Sequence, residues 1–467
     1  MRIDRTVVRV SARRRRLSAL AVAVLAVVAG TNLVLATLSP HSAVHNDLRS
    51  GLSRGALPAP SSADGRRPGT SNSPRHGNRG FDAATGRAEL AASAATQDPV
   101  TSPPDPVETF TDNRAWFGVL QAGGNRAAQE MSSGISVADF ELSWGQYEPQ
   151  PGVFNENYAA YERSRLAQIT AAGQRVTLEL GMNPPGWVLN LDPGARFMNQ
   201  YGDVWQGTSS NDAANAVFDP KVRSAEAAYV AHVAADFGDS FFAVRAGGLL
   251  QDELRYPDAT FNGHNNCYWA FDTDAQARSP VPGWRPGDPD TAKAAAFLDY
   301  YLSSITNYES WLLHTYRTVF PSAWLQVLFP SWGLRPGDTA AAVAHNLDGS
   351  TPPASWGTLE MGLDWQRQVA SIDVPKVMLY STWMERGDDG SSLQQLAPAH
   401  YLQALGSSRG FPVAGENASN TDSVALMRAM VQRVKSWGLA GLMWLDEPTL
   451  LGGGPVRLAD YAAAITG

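Results

Sequence analysis

The chain has 467 residues and a formal net charge of -8, unevenly divided: residues 1–105 carry 14 Lys/Arg against 7 Asp/Glu, and the remainder carries 23 against 38. A segment as acidic as the second excludes nucleic acid as the main partner, because phosphate binding needs clustered Lys and Arg. The single cysteine, Cys267, excludes an intramolecular disulfide and a cysteine-based zinc cluster, and reads as a lone buried thiol.

Arg2, Arg5, Arg9 and the run Arg13 to Arg16 precede an apolar segment, Leu17 to Leu38, interrupted only by Ser18, Thr31, Asn32 and Thr37. A helix needs about 20 residues to cross a bilayer core, and this segment is long enough. The arginines would hold the N-terminus in the cytoplasm and leave the rest outside. Residues 1–39 are therefore expected to be a basic stretch and transmembrane anchor. A cleaved signal peptide is the rival reading, but no convincing small-x-small cleavage site follows. Either way the downstream chain is exported, as a cell-membrane protein with an extracellular domain or as a secreted one.

Residues 40–108 are rich in Ser, Gly, Ala, Pro and Arg and show no apolar periodicity. Such a composition buries too little surface to offset ordering entropy, so a disordered linker is expected. From 109 to 467, strand-like runs alternate with helix-like ones. The predicted strands are 116–121, 138–144, 175–182, 243–251, 324–330, 376–382, 411–415 and 441–445, and the intervening helices include 158–172, 221–237, 292–320, 399–405 and 421–437. Eight strands separated by helices predict an α/β fold of the (β/α)8 TIM-barrel type. A doubly wound open sheet is the alternative, weakened because no Gly-rich phosphate loop follows the first strand.

In such a barrel, functional groups sit at the C-terminal ends of the strands. Glu253 then ends the fourth strand, in the run Asp252-Glu253-Leu254-Arg255-Tyr256-Pro257, and Glu416 ends the seventh, in Val413-Ala414-Gly415-Glu416-Asn417-Ala418. Two carboxyls so placed suit glycoside hydrolysis, in which one protonates the leaving oxygen and the other attacks the anomeric carbon or activates water. Asp252, Arg255 and Tyr256 are positioned to hold Glu253 or tune its proton affinity. A buried Glu253–Arg255 network that merely holds the loop is the competing reading.

The segment from Trp144 to Phe154, Trp-Gly-Gln-Tyr-Glu-Pro-Gln-Pro-Gly-Val-Phe, resembles a loop of clan-A glycoside hydrolases of the family 42 β-galactosidase type. Asn183-Pro184-Pro185-Gly186-Trp187 and Trp444 fit the same pattern. Around Glu253 and around Glu416 the chain resembles the family 14 β-amylase segments that carry the general acid and the general base. The resemblance spans most of 110–467, though only these short motifs are specific. It implies a glycosidase with Glu253 and Glu416 as catalytic residues, and Asn183, Trp187, Asp252, Arg255, Tyr256, Asn417 and Trp444 as substrate contacts. Two departures stand out. Asp252 replaces the Asn that clan-A enzymes place before the acid, and Gly181-Met182-Asn183-Pro184-Pro185 replaces the Asp-containing mobile loop of the β-amylase type. The resemblance therefore implies a reaction class and two residues, and leaves the sugar and the stereochemistry open.

A carbohydrate partner, no cofactor and no metal are expected, since His232 and His314 lack ligand spacing. Among the tryptophans after strands (Trp144, Trp187, Trp205, Trp269, Trp332, Trp383, Trp444), some should be sugar platforms and others packing. Asp446 and Glu447 read as a solvated loop or ion pair, and Glu141 and Glu179 face either the barrel interior or the helices. A catalytically inactive barrel that binds carbohydrate at the cell surface is the alternative function.

Overall fold

The computed structural model describes residues 114–207, 212–351, 357–418 and 423–467. The expected anchor, the linker and their boundary with the folded region lie outside the described residues. Among the described residues no helix is long and apolar enough to cross a membrane.

Eight parallel strands close into a barrel in chain order: β1 (Trp116–Val119), β2 (Val137–Glu141), β3 (Arg175–Glu179), β4 (Ala243–Arg245), β5 (Trp324–Phe329), β6 (Val377–Ser381), β7 (Val413–Glu416) and β8 (Gly441–Trp444). β8 pairs with β1 through Trp116–Gly441 and Val119–Trp444. A barrel-packing helix follows each strand, α1 (Ala127–Ser132), α2 (Glu156–Ala171), α3 (Pro220–Phe237), α4 (Thr291–Val319), α5 (Trp365–Ser371), α6 (Pro398–Ser407), α7 (Val424–Trp437) and α8 (Leu458–Thr466), with shorter helices in the loops after β2, β4, β5 and β8. The fold is the (β/α)8 barrel, and the open-sheet alternative is excluded by the β1–β8 pairing.

Local chemistry marks the helix ends. Asn155 accepts from Tyr158 N at 3.2 Å to start α2, and Asp219 accepts from Lys221 N at 2.7 Å ahead of Pro220 to start α3. Side-chain oxygens at this position satisfy amides that lack a partner in the first turn, and proline tolerates it. Gly438 ends α7 with φ of 66°, a left-handed conformation that favours glycine.

Strand parity sorts side chains into two layers. Phe117, Val119, Leu442 and Trp444 face the helices, while Trp116, Val137, Leu328, Met378, Tyr380, Ala414 and Met443 fill the barrel. Trp116 fits because Gly441 faces it: a Cβ there would lie 2.1 Å from the indole. Towards the C-terminal ends the inward positions turn polar, with Asp139, Glu141, Glu179, Arg245 and Glu416 on the register of the apolar interior below. The charged groups therefore collect at one end of the barrel.

Two buried helix glutamates tie stability to pH. Burial pushes Glu226 on α3 and Glu309 on α4 up to about 8, and both Glu309 carboxyl oxygens lack hydrogen-bond partners among the described residues. A carboxyl whose affinity for its proton rises on folding stabilises below its unfolded value, and that contribution is lost as pH rises towards the folded value. Replacing Glu309 with Met should therefore stabilise the fold by a few kcal/mol, on the order set by that shift, above pH 8 and change little near pH 4.5. Thermal unfolding midpoints of both proteins across that range check this.

Candidate active site

β4 stops at Arg245, short of the Gln251 expected from its apolar run. The chain leaves the ladder after Ala246, which donates to Gln326 O at 2.7 Å, and rejoins it at Leu254, which donates to Leu328 O at 3.3 Å. Residues 247–253 close into a loop between these two bonds. A Cβ on Gly247 would lie 1.4 Å from the Asp252 carbonyl oxygen, so only glycine permits the closure. Gln251 and Asp252 take left-handed φ values of 60° and 55°, which cost a non-glycine residue roughly 1–2 kcal/mol each. Side chains hold this conformation. Gly248 N donates to Asp252 Oδ1 at 3.0 Å, and Arg255 Nη2 donates to Gln251 Oε1 at 2.9 Å. Behind the loop, Tyr308 Oη lies 3.1 Å from Gly248 O and 2.9 Å from Glu226 Oε1.

The loop delivers Glu253 to the mouth of the barrel. Its Oε2 pairs with Arg255 Nε at 2.9 Å and its Oε1 accepts from Thr382 Oγ1, just past β6, at 2.8 Å. Burial raises the Glu253 proton affinity above the ordinary carboxyl range, and the charge of Glu416 adds to it; Arg255 and Thr382 pull the other way. Burial therefore dominates.

Glu416 is the last residue of β7, on the inward face with Ala414. Arg245, the last residue of β4, contacts both its oxygens, Nη1 to Oε2 at 2.8 Å and Nη2 to Oε1 at 3.4 Å. The same guanidinium reaches Glu179 Oε2 on β3 at 3.2 Å through Nε, and its carbon lies 5.1 Å from the Tyr380 ring centre. The charges of the two glutamates interact, one held by Arg255 and Thr382, the other by Arg245.

Asp252 and Arg255 stand beside Glu253 as loop supports, both buried. Asn183 and Trp187 are half-buried after β3, and the Trp187 indole N–H donates to Glu148 O at 3.0 Å. Three residues read as substrate contacts are fully buried and bonded or packed within the framework. Tyr256 is fully buried, stacks on Tyr301 at 4.1 Å and donates to Tyr301 O. Trp444 is fully buried on the outward face of β8, 5.7 Å from the Tyr461 ring of α8. Asn417 is buried with its amide bonded to both main-chain groups of Leu445, at 2.9 and 2.8 Å. The physical reason is parity: alternate residues of a strand face opposite layers, so Trp444 turns away from the interior reached by Met443.

Trp144, Trp205 and Trp269 are buried too, whereas Trp332 and Trp383 are half-buried at the mouth, 6.2 Å apart edge to face. Asp446 and Glu447 are buried rather than solvated: Asp446 caps Thr449 N at 2.8 Å, and Glu447 accepts from Gly123 N. Cys267 is a buried free thiol. No group of three or more His, Cys, Asp or Glu among the described residues is arranged to hold a metal. Sequence reasoning passed over Arg245, Thr382 and Tyr380. An arginine inside an apolar strand was the available signal for the first, because a buried cation calls for buried anions around it.

The catalytic domain of β-amylase from Paenibacillus polymyxa superposes on this chain with a TM-score of 0.56 at 14% identity, covering 75% of this chain and 98% of that one. The two share a fold. β-Galactosidases from the Antarctic haloarchaeon Halorubrum lacusprofundi (TM-score 0.49, 14% identity, 75% of this chain) and the psychrophilic Marinomonas ef1 (TM-score 0.49, 12% identity, 75% of this chain) also match. The match covers 57% and 58% of those longer chains. No protein-family model matches the chain, and no curated protein matches its sequence.

Gly247→Ala tests the closed loop. The added methyl must displace the Asp252 carbonyl, so amide exchange protection should fall across residues 247–256 while the barrel strands keep theirs. Global stability should drop by only about 1–3 kcal/mol, read by denaturant unfolding.

Proposed function

We propose that the chain is a glycoside hydrolase that cleaves O-glycosidic bonds in an extracellular oligo- or polysaccharide. The observation that carries this reading is the difference between two glutamates at one barrel mouth. Glu253 is desolvated and holds its proton above the ordinary carboxyl range, as a general acid must. Glu416 sits in a two-contact ion pair with Arg245, an environment suited to a nucleophile or a general base. The fold shared with a β-amylase catalytic domain is in keeping with this chemistry.

In the reaction, Glu253 would protonate the departing glycosidic oxygen, and Thr382 and Arg255 would receive the carboxylate that remains. Glu416, held by Arg245, would stabilise positive charge on the anomeric carbon and either bond to it or direct water to it. Half-buried Trp187, Trp332 and Trp383 offer apolar faces to sugar rings. The apolar segment 17–38 would keep this site outside the cell and tethered, so the full chain should remain in the membrane fraction after alkaline carbonate extraction. Release of the full-length chain would sink the anchor.

A screen of glycosides and polysaccharides supplies the substrate, and two variants test the roles. Glu253→Gln and Glu416→Gln should each lower kcat by roughly 10²–10⁴ or more, and hydrolysis that survives both changes would rule out the pair. Thr382→Val removes a hydrogen bond that favours the Glu253 carboxylate. Its loss should raise the Glu253 proton affinity and move the alkaline limb of the kcat profile to higher pH; a downward shift would contradict the acid assignment.

A further inference from the structure

The loops after β3 and β4 carry a pair of stacked aromatic rings that the proposed reaction does not use. The Tyr201 and His264 rings lie 4.1 Å apart and within 8° of parallel. Both residues are exposed, Tyr201 by 46%. Stacking covers one face of each ring, so that exposure lies on the outer faces and edges.

The two loop tips are fixed in place. Met198 bridges Val204 on one and Phe261 bridges His264 on the other, both antiparallel, so each ring stands on a closed turn. The tips are then tied to each other. Gln200 Nε2 donates to Asn266 O at 2.5 Å, and Tyr268 N donates to Gln200 Oε1 at 2.8 Å. Asn262 Nδ2 donates to Asp203 Oδ1 at 3.1 Å, and Tyr201 Oη donates to Asn265 O at 3.1 Å. The rings are therefore held before any ligand arrives, and little side-chain freedom remains to be lost on binding. Asn262 and Asn265 are exposed beside them. Each commits one amide atom, Asn262 Nδ2 to Asp203 and Asn265 Oδ1 to Thr260, leaving Asn262 Oδ1 as an acceptor and Asn265 Nδ2 as a donor for a ligand.

Both loops leave the C-terminal ends of their strands, so the rings lie on the same face of the barrel as Glu253 and Glu416. The second loop is also bonded to the proposed acid: Arg255, the partner of Glu253, pairs with Asp258 Oδ1 at 2.8 Å.

We propose that Tyr201 and His264 form a sugar platform that holds one ring of a polysaccharide while a linkage elsewhere in the same chain is cleaved. This rests on the glycosidase reading above, and it makes the preferred substrate a polymer rather than a disaccharide. A sugar ring has an apolar C–H face and a rim of hydroxyls, which suits a rigid aromatic face flanked by one amide acceptor and one amide donor. A protein partner fits less well, because two rings offer far less than the roughly 1,000 Å² that a specific protein interface buries.

The test is affinity electrophoresis of the full-chain Glu253→Gln protein, run with detergent through native gels containing xylan, soluble starch, arabinogalactan or galactomannan. At least one polymer should retard it. Tyr201→Ala and His264→Ala should each raise the dissociation constant read from that retardation by about fivefold or more. Tyr201→Phe keeps the ring and loses only the hydroxyl, so it should retain most of the retardation. Absence of retardation by every polymer would overturn the platform, as would retardation unchanged in Tyr201→Ala. A loss as large in Tyr201→Phe as in Tyr201→Ala would overturn it too, since the hydroxyl's tie between the loops would then matter rather than the ring. Wild-type hydrolysis of the same polymers separates the two proposals. Tyr201-dependent retardation without cleavage of any glycan keeps the platform and removes the glycosidase; cleavage that needs Glu253 and Glu416, without Tyr201-dependent retardation, does the reverse.

Discussion

Arg245 lies inside the barrel, 3% exposed, with Glu179 on one side and Glu416 on the other. Taking a guanidinium out of water is costly, and only well-placed anions offset the cost. The three residues terminate β4, β3 and β7, so the ion pairs tie together the ends of strands far apart in sequence. Removing the arginine would leave two carboxylates facing each other in a desolvated space, which is why such groups are far more costly to break singly than to replace together. The position of Glu416, and hence the shape of the mouth, follows from this contact.

Glu253 depends on a different device. Its loop breaks out of β4 and returns to the same β5 ladder, so the carboxyl is carried by a short segment anchored at both ends to the barrel. Left-handed residues at 251 and 252 make the turn unfavourable by itself. The contacts of Asp252, Arg255 and Tyr308 supply what the backbone lacks. Anchoring of this kind restricts where Glu253 can go.

Most of the supporting cast is neither acidic nor exposed. Tyr256 stacks and bonds beneath the loop, and Asn417 locks the turn after β7 to Leu445 at the end of β8. Trp444 fills the layer between β8 and α8. The short motifs around Glu253 and Glu416 therefore mix two kinds of residue, those at the barrel mouth and those that hold the strand tips in place. Position along the motif does not separate them; the alternation of strand faces and the direction of each hydrogen bond do.

The eight strands and the helices α2, α3, α4, α6 and α7 were legible in the chain because short stretches rich in apolar residues alternate with longer helix-like ones, and α2, α3, α4 and α7 start at a capping side chain. Glu416 was legible as a carboxyl at a strand end for the same reason, whereas Glu253, expected to end β4, lies on the loop beyond Arg245. Where β4 stops was not legible, because apart from Arg245 and the two glycines the run 241–250 is apolar; the break comes from Gly247 and Gly248 meeting Asp252 and Tyr308, contacts between parts of the chain brought together only by folding. Nor did local sequence assign faces to Glu141, Glu179 or Trp444. A strand of four or five residues has two faces of similar composition, and the choice between them is made by closure of the barrel. The sequence by itself therefore determined which segments form the barrel and that Glu416 ends one of its strands. Tertiary structure decided which side chains share the interior, since Arg245, Glu179 and Glu416 lie on three strands and become neighbours only when β8 closes on β1.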